Sequence, residues 1–450
     1  MLFSNRDLRK IIIPLLIEQF FAVLVGMADT IMVATSGEAV VSGVSLVNTV
    51  NVFLIYIFTA LCAGGSIVMA QLLGKKDYAK ATEAGKQLVY VALFVSAFIS
   101  FIMVFFRKQI LGLIFGKIEK DVMQNALNYS LFTSISYIFV ALYNAGASFF
   151  RAQGNTKISM STSLVMNLIN IAGNAILIFG FGLGAVGAAV ATLFANFVGA
   201  VFILFRACRK NKELYIKKLF VYKPDLKLIK NICGIGIPSG LENGMFQFGK
   251  VITLSLVSTL GTAQIAANAT ANTLSSLQYA CGTALSLAMT AVVGRCVGAN
   301  QKEQAKYYAK KLTGIAYLCI FFVSAVLCLF SNFFVGLFNL SEGASQLAQS
   351  IIYIHSIFTC TIWPVSFTLP NSFRAASDVK FTMIVAIISM WTLRVGLSFV
   401  FINFLSFNVL GVWYAMFCDW ALRFIVFGIR FLSGKWLTKY KEIEFKKPAV

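Results

Sequence analysis

The sequence has little charge, and least of all acid. Only 12% of its 450 residues are charged, with 17 Asp and Glu against 38 Lys and Arg, while 59% are hydrophobic. A soluble domain of this length would have too little polar surface to show water. There is a single histidine, His355, so a Ser/His or metal constellation has little to build on, and His355 reads as a packed or cavity-lining residue. The nine cysteines are scattered, with no CxxC pair and no Cys/His cluster, which argues against a disulfide framework or a metal site. No P-loop is present. The glycine-rich stretches FGFGLGAVGAA and CAGGS fall at turns or on helix faces, where small residues permit close packing. MLFSNRDLRK leads into a full-length apolar run, so no cleaved signal peptide is expected.

Long apolar runs are what the sequence has in abundance. Twelve can be drawn, at 11–33, 41–72, 85–106, 128–150, 160–181, 184–206, 231–257, 266–294, 312–330, 347–371, 381–403 and 409–433. Each is long enough for a transmembrane helix, and the alternating segments of a membrane β-barrel are not seen. The expected fold is an all-α integral membrane protein of twelve transmembrane helices. The net charge of +21 fits this topology. With the N-terminus in the cytoplasm, Lys and Arg cluster at cytoplasmic helix ends: 6–10, 75–86, 151–157, 206–230, 295–311, 374–380 and 430–447. The exceptions are Arg107, Lys108, Lys117 and Lys120 outside, and Lys250, Arg394 and Arg423 within spans. That is the positive-inside pattern with both termini cytoplasmic, and the basic excess then serves topology and anionic lipid instead of nucleic acid.

The chain is also written twice. At an offset of 224 residues IPLLIEQ meets IPSGLEN, pairing Pro14 with Pro238 and Glu18 with Glu242. Gly37 meets Gly261, Asn48 meets Asn272, Thr49 meets Thr273 and Gly74 meets Gly298. RAQGNTK meets RAASDVK with one residue of slip, and the offset recovers where Gly187 meets Gly411. Two six-helix repeats of equal orientation follow, related by a pseudo-two-fold axis along the membrane normal with a cavity between them. The expected division is an N-terminal lobe over 1–206, a cytoplasmic linker over 207–230 and a C-terminal lobe over 231–450. Duplication of this kind suits a transporter that rocks one half against the other; a duplicated scaffold without transport is the alternative.

Charge inside the spans distinguishes the halves. The first half buries Glu18 and Asp29 with no clear basic partner; the second buries Glu242, Lys250, Arg394, Asp419 and Arg423, and Asp419 can pair with Arg423 one turn away. The second half can thus neutralise much of its own charge, while an unpaired acid in the first must take a proton or hold a cation. From the helical rise, Asp29 lies about 6–8 Å below the outer surface, Asn174 about 10 Å, Thr192 about 12 Å and Asn170 about 16 Å. One carboxylate, two amides and a hydroxyl would suit a hard cation such as Na⁺ or cage a protonatable Asp, and equally they could glue helices together.

Pro14 with Ala28-Asp29-Thr30, GLGAVGAAVATLFAN (182–196), FRAQGNTK, SFRAASDVK and GIPSGLEN together resemble the multidrug and toxic compound extrusion (MATE) family, over essentially the whole chain. The resemblance implies a V-shaped, twelve-helix antiporter of the plasma membrane that exports cationic, amphiphilic compounds in exchange for Na⁺ or H⁺ by alternating access. It implies a first-lobe cation site at Asp29, Asn170, Asn174 and Thr192, with Asn174 where some relatives have Asp, and a bending point at Pro14. The chain departs from the family pattern at Phe246, where several relatives carry an acid, and 351–369 contains no Asp or Glu. Glu242 and its repeat mate Glu18 are therefore read as structural or gating residues, with Pro14 and Pro238, and coupling is placed in the first lobe. Gln19, Tyr56, Tyr137, Tyr143, Gln278, Tyr279 and His355 are candidate cavity residues, since aromatic and amide groups suit organic cations. No cofactor is expected beyond the coupling ion and no metal beyond Na⁺ at Asp29. The expected partners are small organic cations or amphiphiles and membrane lipid, with the chain a monomer. A flippase for lipid-linked oligosaccharides is the nearest rival, kept alive by Lys250 and Arg394; an integral membrane enzyme is the more distant one.

Overall fold

A computed structural model describes residues 1–440 except 117, 211–213, 218, 220, 222 and 406. Lys117, parts of the expected linker and 441–450 of the expected second lobe fall outside the described residues. Among the described residues the chain forms twelve long helical elements. The first lobe contains α1 (Asn5–Ala34), α2 (Glu38–Gly74), α3 (Tyr78–Phe115), α4 (Lys120–Ala152), α5 (Thr156–Asn174, continued by π-helical Ala175–Gly180) and α6 (Gly184–Cys208). The second contains α7 (Leu226–Ser258), α8 (Thr262–Gly298) and α9 (Lys302–Leu329). It is completed by α10 (Glu342–Thr361 with Pro364–Ala375), α11 (Val379–Ser389, π-helical Met390–Gly396, Leu397–Asn403) and α12 (Leu410–Leu432). A short helix, Ser331–Gly336, joins α9 to α10.

Among the described residues, nine helices are long and apolar enough to cross a membrane, and a tenth is α10, whose halves meet at 61°. The two outside that count, α7 and α12, carry Glu242 and Lys250, and Asp419, Arg423 and Arg430. Pro364 and Pro370 each begin a new helical piece in α10, as expected of residues that lack an amide donor and clash with the preceding turn. The outer surface is apolar. On α3, Phe94, Phe98, Phe101 and Phe105 form an exposed stripe at helical spacing, the face a lipid-solvated helix presents.

The internal repeat reappears as paired geometry. Gly37 and Gly261 hold φ of 104° and 97° at the N-caps of α2 and α8, backbone that L side chains rarely adopt. Ser4 and Asp7 close α1 with a reciprocal capping box. Near the end of the bundle where α1 and α7 begin, which is the basic end, the lobes touch directly. Gln71 donates to the carbonyl of Ala375 at 2.8 Å, and its repeat mate Arg295 donates to the carbonyl of Ala152 at 3.0 Å. A Cβ on Gly74 would lie 2.1 Å from the Arg295 oxygen, and one on Gly298 1.9 Å from the Gln71 oxygen. Only glycine permits α2 and α8 to approach so closely.

The first helix of each repeat crosses to the other lobe. Ile11, Ile12 and Leu15 of α1 belong to a core shared with α8 and α9, while Leu228, Ile232 and Ile235 of α7 join the core of α2, α3 and α4. Backbone and side chains at Phe3 and Tyr308 bond reciprocally, at 3.1 and 2.6 Å, and tie the N-terminus to α9. The other half of α1, beyond Pro14, returns to the first lobe and carries Asp29 there.

Candidate ion and substrate sites

Asp29 lies near the far end of α1, half-buried, against α5 and α6. Asn174 donates from Nδ2 to Asp29 Oδ1 at 2.8 Å. Asn170, one turn earlier on α5, sits between Asp29 and Thr192. With its amide nitrogen toward the carboxylate it donates at 2.7 and 3.0 Å, and its oxygen lies 3.1 Å from Thr192 Oγ1. This orientation gives the carboxylate donors on both oxygens, whereas the reverse sets two acceptors face to face. Thr192 Oγ1 also donates to the carbonyl of Ala188 at 2.8 Å. Asn170 and Asn174 are buried, and Asn174 Oδ1 is a buried oxygen with no hydrogen-bond partner. A π-helical turn begins immediately after Asn174, a local irregularity of the kind that collects at functional sites. The four residues grouped by depth therefore lie in one cluster.

The cluster opens onto a first-lobe cavity of about 290 Å³. Its lining holds Asn48, Asn51, Tyr129, Ser136, Tyr137 and Asn196, and no Lys, Arg or His. Tyr129 donates to Asn48 at 3.1 Å, Tyr137 to Asn51 at 2.5 Å, and Asn196 to Ser136 at 2.7 Å. Of these, Tyr137 is the one the sequence offers as a cavity residue, while Asn48 enters only as the repeat mate of Asn272. Asn48 and Asn51, three apart in VNTVNV, carried the available signal: two amides on one face of an apolar helix.

Glu18 corrects one sequence expectation. It has a basic partner, Arg151, whose guanidinium reaches it from the last turn of α4, and Ser159 donates to its other oxygen at 2.9 Å. The repeat mate behaves alike: Arg374 donates to Glu242 at 2.5 Å and Thr382 lies 3.5 Å away. The sequence places Arg151 at the cytoplasmic rim; the long arginine side chain lets a residue at a helix end pair within the bundle. Pro14 and Pro238 lie inside α1 and α7, one turn before these acids.

The other candidate cavity residues divide. Tyr56 of α2 and Tyr279 of α8 line a second-lobe cavity of about 280 Å³. His355 and Gln278 do not line it. His355 is fully buried, accepts or donates at Tyr279 Oη (2.6 Å) and Ser275 Oγ (3.3 Å), and packs among Trp413, Phe417 and Trp420. Gln278 donates to Ser324 and Ser356 at 2.9 and 2.8 Å. The His355 ring and the Gln278 amide nitrogen thus find their partners inside the second lobe, while Gln278 Oε1 is buried without one. Tyr143 is buried in the first-lobe core, and Gln19 is half-buried on α1.

The second lobe neutralises less of its charge than expected. Arg423 pairs with Asp419 at 2.7 Å, as the spacing predicts, but Glu242 serves Arg374. Lys250 and Arg394 line the cavity without an acid of their own among the described residues.

Two six-helix repeats, a polar acidic cluster in one lobe and a basic cavity in the other define a multi-pass membrane protein of duplicated, two-lobed architecture. The MatE family model matches residues 14–176 and again 238–400, and the chain belongs to that family. Among curated proteins it is 28% identical to "Uncharacterized transporter YisQ" of Bacillus subtilis, over 95% of this chain and 94% of that one. It is 26% identical to "Probable multidrug resistance protein NorM" of Thermotoga maritima, over 96% and 93%. A structure described as the outward-facing conformation of a multidrug resistance MATE family transporter superposes with a TM-score of 0.88. It shares 20% identity and covers 95% of this chain and 96% of that one, which places the twelve-helix, two-lobe fold.

Proposed function

We propose that the protein is an ion-coupled efflux transporter of the plasma membrane, exchanging Na⁺ or H⁺ for amphiphilic organic compounds, organic cations among them. Asp29 carries the reading. An acid held by two amides, with the spare oxygen of Asn174 facing no donor, offers a cation a carboxylate and a ready carbonyl, with Thr192 behind them. Protonation of Asp29 would satisfy the same place by converting an acceptor into a donor for that oxygen. The relatives, described as transporters and multidrug resistance proteins, favour efflux over an enzymatic role.

The basic end is assigned to the cytoplasm by the positive-inside pattern. The glycine contact at Gly74 and Gly298 then closes the cytoplasmic side, and the Asp29 cavity lies toward the outside. α1 links the two: one half packs in the second-lobe core and the other holds Asp29, so occupancy of the carboxylate acts on a helix that spans the lobe contact. The test is efflux from proteoliposomes under an imposed Na⁺ or pH gradient, one at a time. Asp29→Asn is expected to abolish ion-driven efflux at unchanged expression, and undiminished efflux would sink the mechanism. A second reading, a flippase for a lipid-linked sugar, draws on Lys250 and Arg394; rescue of a flippase-deficient strain separates it from the first.

A further inference from the structure

The second lobe holds more positive charge than its acids can offset. Lys250 Nζ, Arg394 Cζ and Arg423 Cζ stand 5.6, 5.4 and 5.6 Å from the centre of the Phe246 ring. The acids nearby are committed. Glu242 accepts from Arg374 at 2.5 Å, and Asp419 accepts from Arg423 at 2.7 Å. Lys250 and Arg394 form no ion pair and no side-chain hydrogen bond among the described residues. Arg394 is only 7% exposed, and its Nε is a buried donor with no acceptor. Lys250 and Arg394 both line two adjoining cavities, of about 280 and 340 Å³. Cation–π contact with one ring is weak compensation for the desolvated Arg394, and Lys250, exposed on the cavity side, adds a second like charge beside it. Groups of this kind are retained where a counter-charge arrives from outside the chain.

The repeat supplies an independent line. At the 224-residue offset Asp29 and Thr192 fall on Thr253 and Met416, and Asn170, inside the stretch where the register slips by one, falls at Leu393 or Arg394; Thr253, Arg394 and Met416 line one cavity together with Lys250. The second lobe thus keeps a cavity at the position of the first-lobe cluster with its sign inverted. Phe246, Trp363, Phe367 and Trp420 form an aromatic wall in the adjoining cavity.

We infer that the second-lobe cavity is an anion site: Lys250 and Arg394 take the carboxylate, sulfonate or phosphate group of an amphiphilic ligand, and the aromatic wall takes its apolar body. The inference names a substrate class for the proposed transporter and rests on that reading for its use, but the binding itself needs no ion gradient. Arg394 can engage two oxygens of such a group through its planar fork, with Lys250 as a second point charge.

The test is binding to the purified full chain in phosphatidylcholine nanodiscs, comparing dansylglycine, an anion, with dansylcadaverine, a cation bearing the same fluorophore. The anion is expected to bind at least about tenfold more tightly, and Lys250→Met and Arg394→Met are each expected to weaken it by about tenfold. Because each substitution removes an unpaired charge, both variants should melt no lower than the parent without ligand and lose the anion-dependent rise in melting temperature. Asp29→Asn should bind dansylglycine like the parent, so failure of ion coupling and failure of this inference are read separately. Equal affinity for the two probes, or anion binding unchanged in both the Lys250 and Arg394 variants, overturns the inference. Repeating the titration in nanodiscs containing phosphatidylglycerol assigns the source of the anion. Competition by that lipid supports a phospholipid headgroup as occupant, and its absence supports a free amphiphile.

Discussion

Replacing Gly298 by alanine tests whether the lobes close where α2 meets α8. The added Cβ would sit 1.9 Å from the Gln71 carbonyl oxygen and 2.6 Å from its carbon, both backbone atoms that no rotamer change can move. Restoring an ordinary carbon–oxygen contact of about 3.3 Å requires the helices to part by roughly 1.4 Å. Overpacking of that kind costs about 1–3 kcal/mol, here charged to the closed contact alone. At about 1.4 kcal/mol per factor of ten, the balance between closed and open basic ends should shift about 5- to 150-fold. The cognate Gly74→Ala change meets Arg295 in the same way, at 2.1 Å, and should act alike. Gly314, inside α9 with no atom within 4 Å of a built Cβ, is the control for the same chemistry; Gly314→Ala should leave the lobes unaltered. The assay is the distance between spin labels placed on the two lobes at the basic end, read with thermal unfolding. Gly298→Ala should lengthen and broaden that distance and lower the melting temperature. A distribution and melting point equal to those of Gly314→Ala would refute the close-contact account.

Glu18→Gln strands the buried Arg151 guanidinium and should cost about 3–5 kcal/mol, seen as a lower unfolding temperature, while the double change with Arg151→Met should recover most of it. Valine at Gly37 or Gly261, where φ is near +100°, should destabilise by about 1–3 kcal/mol in the same melts, with no new clash to explain it. If export of a monovalent anion is exchanged for entry of one cation, each cycle moves two charges inward. An inside-negative potential of 100 mV should then add about 4.6 kcal/mol of drive. Dansylglycine efflux from proteoliposomes should therefore accelerate when valinomycin and K⁺ set the inside negative, and indifference to potential would exclude that stoichiometry.

Much of the frame was legible because a membrane leaves its mark on composition. All twelve apolar runs coincide with helical elements, and the helices extend past the runs where amphipathic or charged residues continue them, as Asn5 to Lys10 does for α1. The first-lobe cluster was legible because helical rise converts sequence position into depth, and Asp29, Asn170, Asn174 and Thr192 do converge. Depth says nothing of azimuth: Gln278 and His355 lie in apolar spans, but their faces turn to Ser275, Ser324 and Ser356 instead of the cavity, so His355 takes the packed alternative of its two readings. Arg151 was misjudged for another reason. Its Cα belongs to the basic rim and its guanidinium to Glu18, and the length of a side chain is invisible to span counting.

The repeat gives these differences a direction. Residues that build the frame are matched in kind across the two halves: Gly74 with Gly298 at the lobe contact, and the ion pairs Glu18–Arg151 and Glu242–Arg374 within each lobe. Positions that face the cavities are not. Asp29 stands against Thr253, and Arg394 lies within one residue of the counterpart of Asn170, so one cavity presents an acid and the other a base. On the two proposals made above, a duplicated scaffold with cavities of opposite charge would receive two ions of opposite sign. Arg394→Asn, which replaces the base by an amide of the kind found in the first-lobe cluster, should then erase the preference for dansylglycine over dansylcadaverine while leaving the lobe contact and the melting cooperativity unchanged. Retention of that preference would place the anion contact elsewhere in the chain.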